Sequence, residues 1–343
     1  MIYFLRTFVL IGLLLCVISC SSDSEARPSG DPETWESFAF PESDCQWNDL
    51  APSAIPKLEA YPVIVGNKLY TFSGFTNGLA VIPETEIYDL ISGQWSLGAS
   101  MPLPVTHMGV ARVNDDIWIV GGFAGDHPGT ATSRVQIYSP GNDQWREGPE
   151  LPVARASGSL VLVNGKLHHF GGLLPDRRTD INEHWVLDLN NINAGWKADD
   201  PLPIARNHLG GVALNGNIYA VGGQFGHDGG NEDVAFVHVY RTDTGNWDRL
   251  ADMPLALSHF EAGIFVFENR IYVVGGISPN GARDTIFVYD PQSDTWSEFC
   301  GIPQRLLAPG ARMYGNQLLV LNGGVNGAGS PISTFRYINL MNK

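Results

Sequence analysis

Residues 271–296 read IYVVGGISPNGARDTIFVYDPQSDTW. A short apolar run closes on Gly275-Gly276, a turn-rich polar stretch follows, and a second apolar run carrying Tyr289 leads to Trp296 seven residues later. Short runs rich in Val, Ile, Tyr and Phe, bounded by Gly, Pro, Asn and Asp, are strands. A glycine doublet lets a buried strand end at positive φ with another backbone close by. The same grammar recurs along the chain. Tryptophans stand at Trp47, Trp95, Trp145, Trp196, Trp247 and Trp296, 48 to 51 residues apart. The small doublets are Ser73-Gly74, Gly121-Gly122, Gly171-Gly172, Gly222-Gly223, Gly275-Gly276 and Asn322-Gly323. Tyr88, Tyr138, Tyr240 and Tyr289 each precede a tryptophan by seven residues, while the third unit departs with Leu187-Asp188 and a longer turn. Self-similarity at a fixed period means one supersecondary unit per period, stacked on its neighbours.

Composition agrees with turn-rich β structure. The 343 residues include 39 Gly and 22 Pro, more punctuation than a helical protein tolerates, and 44% hydrophobic residues, enough for a large core. A formal charge of −15 repels polyanions, which argues against nucleic acid as a partner.

A unit of four strands with a Gly-Gly doublet, a Tyr and a Trp resembles the kelch repeat, and the resemblance extends over about residues 45 to 340. It implies an all-β, six-bladed kelch-type β-propeller, with the strands of each blade running a to d from the axis outward. The first Trp precedes the first doublet, and the last unit stops at Tyr337 without a Trp of its own. The N-terminal strand containing Trp47 is therefore expected to supply the outer strand of the sixth blade, closing the ring. The same resemblance extends at fold level to bacterial sialic acid mutarotases and to the galactose oxidase propeller. The latter's copper radical needs a cysteine in the funnel, and neither Cys45 nor Cys300 is expected there.

In such propellers ligands bind where the d-to-a and b-to-c loops surround a central funnel. Counting seven residues past each Trp gives a common origin, and five residues further stand Glu59, His107, Ser157, His208, His259 and Ala308. Equivalent positions lie at one height round the axis, so His107, His208, His259 and Glu59 are candidate ligands for zinc, iron, copper or manganese. Residues two apart in a strand share a face, which pairs Arg206 with His208 and His259 with Glu261. In an enzymatic version His208 or His259 is the general base, Glu261 the acid, and Arg155 with Arg206 the clamp for an anionic sugar. The b-to-c loops add Asp126, His227, Asp228 and Glu232 as ligand-binding candidates. The spacing Asp176, Asp180, His184 also resembles the iron ligands of plant nitrile-specifier proteins, with Asp in place of Glu at the first position. An alternative is a protein-interaction surface built on Phe123, Trp185 and Phe225.

The amino terminus carries an export signal. Phe8 to Val17 is an apolar run too short to span a bilayer. Val17-Ile18-Ser19-Cys20 resembles a bacterial lipobox, which implies cleavage of residues 1–19 and lipidation of Cys20. Residues 20–40 read as a tether of up to ~60 Å when extended, and residues 41–343 as the propeller. The protein is thus expected to be exported and lipid-anchored, at the outer membrane facing the periplasm or the cell surface. The register places Cys45 and Cys300 on different blades at different heights, so a disulfide between them is not expected.

Overall fold

The computed structural model describes residues 45–340 apart from 229, 326 and 328. The export signal, Cys20 and the tether up to residue 44 lie outside the described residues. Six four-stranded antiparallel sheets follow one another along the chain. We number them as blades 1 to 6 and letter their strands a to d. Blade 2 is typical: Gly109–Val113, Asp116–Val120, Val135–Ser139 and Gln144–Glu147 pair in that order. The a-to-b turns of blades 3 and 4 are Asn164-Gly165 and Asn215-Gly216, with all four residues at positive φ, the geometry that matches strand twist in a tight hairpin. Buried apolar clusters lie between successive sheets, as where Tyr61, Phe72, Val105, Ile117 and Tyr138 join blades 1 and 2.

The six tryptophans have one shared role. Each indole Nε1–H donates to a backbone carbonyl in the segment just before its blade: Trp95 to Ala51, Trp145 to Ala99, Trp196 to Pro149, Trp247 to Asp200, Trp296 to Ala251 and Trp47 to Gly301, all at 2.8 to 3.1 Å. Trp47 thereby ties blade 6 to the end of blade 5. The sixth sheet takes its outer strand from the N-terminal segment, but that strand is Asn48–Asp49, paired with Phe335–Asn339, and Trp47 lies immediately before it.

Two further expectations need correcting. Cys45 and Cys300 are joined by a disulfide with their Cα atoms 5.7 Å apart. Cys300 follows the outer strand of blade 5 and Cys45 precedes that of blade 6, so both sit on the outer rim where the two blades meet. In blade 5 the two extra residues are taken up by a three-residue 3-10 turn, Glu261–Gly263, and strand a starts only at Ile264. His259 and Glu261 therefore do not belong to one strand and do not share a face by alternation.

The glycine doublets position more than strands. At Gly122 (φ +105°) and Gly223 (φ +108°) a Cβ would stand 2.6 Å from the Thr106 carbonyl and 2.7 Å from that of Asn207. The doublet thus clamps the residue that immediately precedes the candidate ligand of its blade.

Candidate metal centre in the funnel

The six equivalent positions form a ring. Glu59, His107, Ser157, His208, His259 and Ala308 all have φ between +48° and +57°, a left-handed backbone that costs a non-glycine residue about 1 kcal/mol or more. Backbone bonds link neighbours. Ser157 N–H donates to His107 O at 2.7 Å, His208 N–H to Ser157 O at 2.9 Å, Ala308 N–H to His259 O at 2.9 Å and Glu59 N–H to Ala308 O at 3.4 Å. Bonds of this kind between successive blades put the six residues at one level around the axis.

From four of them the side chains converge. One ligand atom each from Glu59, His107, His208 and His259 lies within 4.8 Å of all the others. The rings of His208 and His259 stack at 4.0 Å and those of His107 and His208 meet edge to face at 4.8 Å. Glu59, His107 and His208 are buried, while His259 retains partial exposure.

Each histidine is held by the residue before it. His107 Nδ1 lies 2.9 Å from Thr106 Oγ1 and 3.0 Å from Glu59 Oε2, His259 Nδ1 lies 2.8 Å from Ser258 Oγ, and His208 Nδ1 bonds Asn207 Oδ1. The partners fix the tautomers. The Asn207 amide NH₂ donates to Asp180 Oδ1 and the carbonyls of Gln224 and Gly226, so its oxygen faces His208 and accepts an Nδ1–H. Ser258 donates to the Asp233 carboxylate at 2.6 Å, which leaves its lone pair to accept from His259 Nδ1. Glu59 accepts only, so His107 also presents Nδ1–H. In all three rings Nε2 is left as a bare lone pair, the arrangement that orients metal-binding imidazoles. His208 Nε2 is buried without a hydrogen-bond partner among the described residues, and the buried Glu59 Oε2 has His107 Nδ1 beside it.

Electrostatics keep these groups in ligand form. Burial, reinforced by the neighbouring imidazoles, holds His208 well below the usual histidine range, and burial pushes His259 down to about 3. Burial opposes ionisation of Glu59, but the charge and bonding of His107, with His259 and His227, outweigh it and hold the carboxyl below its ordinary value.

A second layer comes from the b-to-c loops. His227 stacks parallel on His208 at 5.1 Å, and its Nδ1 is 2.7 Å from Asp228 Oδ1. Burial, followed by the charges of His107 and Arg177, lowers His227 to about 4. Arg177 from blade 3 bonds Asp228 of blade 4 at 2.6 Å and the Pro128 carbonyl of blade 2, with its guanidinium 4.0 Å over the Phe123 ring.

Other predicted residues are placed elsewhere. Arg155 is fully buried, ion-paired with Glu183 and set beside Trp185. Arg206 is fully buried and donates to the carbonyls of Gly222, Ala220 and Ile204. Neither guanidinium is free to grip a ligand, because the left-handed residue at position 208 breaks the alternation that would have aimed Arg206 with His208. Asp126 accepts the Val81 N–H at 2.7 Å and ties the loops of blades 1 and 2 together. Glu232 is an exposed residue of a short hairpin, opposite Phe225. Asp176 caps its own turn at Arg178 and Thr179, Asp180 holds Asn207 and the Gly226 N–H, and His184 is bonded within blade 3, so this trio does not converge. Glu261 adjoins Tyr61 and Glu59, and burial raises it to about 8. Phe123 is buried, and Trp185 and Phe225 are partly covered.

The anchors Thr106, Asn207 and Ser258 were not anticipated, yet a signal exists. The residue before the ring position is polar in the three histidine blades and Leu58, Ala156 or Leu307 in the others.

The chain is similar to known kelch proteins. The Kelch motif family model matches residues 104–152, 205–254 and 260–299. A kelch repeat-containing protein of Arabidopsis thaliana is 24% identical over 83% of this chain and 72% of its own length. The kelch-like protein terF of Aspergillus terreus is 24% identical over 92% and 70%. Human Kelch-like protein 25 is 26% identical over 74% of this chain but only 42% of its own length. Among solved structures, that of YjhT superposes with a TM-score of 0.68 at 15% identity, covering 84% of this chain and 97% of that one. With one Gly-Gly, Tyr and Trp grammar organising six four-stranded sheets, and kelch motifs matched in three stretches, this chain carries kelch motifs and folds as a kelch-type β-propeller.

Proposed function

We propose that this propeller binds a divalent transition metal in its funnel through His107, His208, His259 and Glu59, and uses it to hold a small polar ligand such as an anionic sugar. The observation that carries the reading is the convergence of four ligand atoms within 4.8 Å, three of them from imidazoles whose Nδ1 sides are already engaged. Three nitrogens and a carboxylate oxygen suit zinc, iron, copper or manganese. In this reading His208 and His259 serve as ligands rather than as general bases, since each offers a ligand atom to the same cluster. Export with a lipid anchor at Cys20 belongs to the same proposal. The Cys45–Cys300 disulfide supports it, because such bonds persist in oxidising compartments.

Elemental analysis of the purified protein before and after a chelator tests the reading. One equivalent of metal, lost in the triple variant His107→Ala, His208→Ala, His259→Ala while the fold survives, is the expected result. No stoichiometric metal after reconstitution with zinc, iron, copper and manganese refutes it.

A further inference from the structure

Ser157 occupies the ring position between His107 and His208, tied to both by backbone bonds of 2.7 and 2.9 Å. Its side chain is 2% exposed, and its Oγ has no hydrogen-bond partner among the described residues. A buried hydroxyl left unpaired costs about 1–3 kcal/mol. It also shares the strained backbone of the ring, at φ +57°. A glycine there would remove both penalties, and the diametrically opposite position, Ala308, manages with a methyl group. Two buried atoms of this one ring, Ser157 Oγ and His208 Nε2, lack hydrogen-bond partners together among the described residues, and the buried Glu59 Oε2 has only His107 Nδ1 at 3.0 Å. A metal ion accounts for the nitrogen and the carboxylate oxygen. A hydroxyl is a poor ligand for the metals that imidazole favours, but a good hydrogen-bond partner for an oxygen bound to one.

We infer that the funnel site is open: a metal there keeps one coordination position for an exogenous oxygen ligand, water or a carboxylate oxygen, and Ser157 Oγ hydrogen-bonds that oxygen. This rests on the metal reading above and goes further, since a closed site with protein ligands alone would be structural, whereas a position for an outside oxygen is where a ligand is held and polarised. The chemical class follows from the donor set. A cation flanked by one hydroxyl takes a small anionic oxygen donor, and acetate is its simplest probe.

The test uses the cobalt(II)-loaded protein, whose visible bands respond to a change of ligand at the metal. Acetate titrated at neutral pH shifts the bands of the unsubstituted protein. In Ser157→Ala and Ser157→Gly the cobalt content stays at one equivalent and acetate binds about tenfold more weakly. The glycine variant fits the positive φ, so it keeps the comparison valid should alanine disturb folding. Stoichiometric cobalt with no acetate response in any of the three proteins overturns the open site. Equal acetate affinity in all three overturns the role of Ser157. Failure to take up any metal overturns the parent reading, and this inference with it.

Discussion

His208 Nδ1 rests on Oδ1 of Asn207, and the amide that presents this oxygen is held from its other end by Asp180, Gln224 and Gly226. The imidazole cannot turn over without reversing an amide that has three acceptors on its NH₂ side. Asn207→Ala removes the anchor and frees the His208 ring to rotate and change tautomer. Second-layer partners of this kind are worth about 10–100-fold in metal affinity. We expect a loss of that size, read by competition with a chromophoric chelator; unchanged affinity would mean that Asn207 only supports the loop.

The Cys45–Cys300 disulfide closes a loop of 255 residues, and it lies beside the bond from Trp47 to the Gly301 carbonyl. The sixth blade's outer strand is only two residues long, so the covalent link supplies what its short hydrogen-bond ladder cannot. Loss of a native disulfide costs about 2–5 kcal/mol. Cys45→Ser/Cys300→Ser should lower the urea midpoint accordingly while leaving metal content unchanged. An unaltered midpoint would show that blade 6 is held without it.

The blades, their number and the four candidate ligands were legible in the sequence because each is tied to the repeat. One position recurs in every unit, and equivalence by repeat becomes equivalence in height. The residues between those landmarks were harder to place. Pairing Arg206 with His208 by period two assumes an extended backbone through the ring position, whereas six non-glycine residues adopt left-handed backbone there. A period-two argument fails across such a residue, which is why Arg206 was expected beside His208 yet lies among backbone carbonyls. The disulfide was missed for a related reason. The repeat gives height along a blade reliably, but Cys45 precedes the first complete unit and its rim position depends on how the sixth sheet is completed.

Arg206 carries its charge into the interior with no carboxylate bonded to it among the described residues, relying on the carbonyls of Gly222, Ala220 and Ile204. Burial, with the charge of Arg249 adding, lowers it to about 9, so it remains protonated at neutral pH. Arg206→Ala removes the buried donor to those carbonyls and opens a cavity, which should cost about 3 kcal/mol or more. Metal stoichiometry at low temperature should be unaffected. Loss of metal in a variant that remains folded would return Arg206 to the functional site.

Within blade 3, His184 Nδ1–H donates to the Asp200 carbonyl at 3.0 Å, so its Nε2 accepts from His168 Nδ1–H at 2.9 Å. The accepting ring, His184, must be neutral for this pair to exist. Burial lowers both, His168 to about 3 with the His184 charge adding to the shift, while Asp199 partly opposes it in each and Lys166 faces His168. In the unfolded chain an imidazole titrates near 6.5. For His168, therefore, the unfolded state binds more protons than the folded one between about pH 6.5 and 3, His184 acts in the same direction below about pH 6.5, and stability falls as pH falls, by up to about 1.4 kcal/mol per pH unit for each imidazole. Urea midpoints measured from pH 7.5 down to pH 4.5 should decline below pH 6.5. The double variant His168→Phe/His184→Phe should decline less steeply, since this pair is no longer there to protonate and only His169 remains in the blade. The same slope in both proteins would assign the acid sensitivity to other groups.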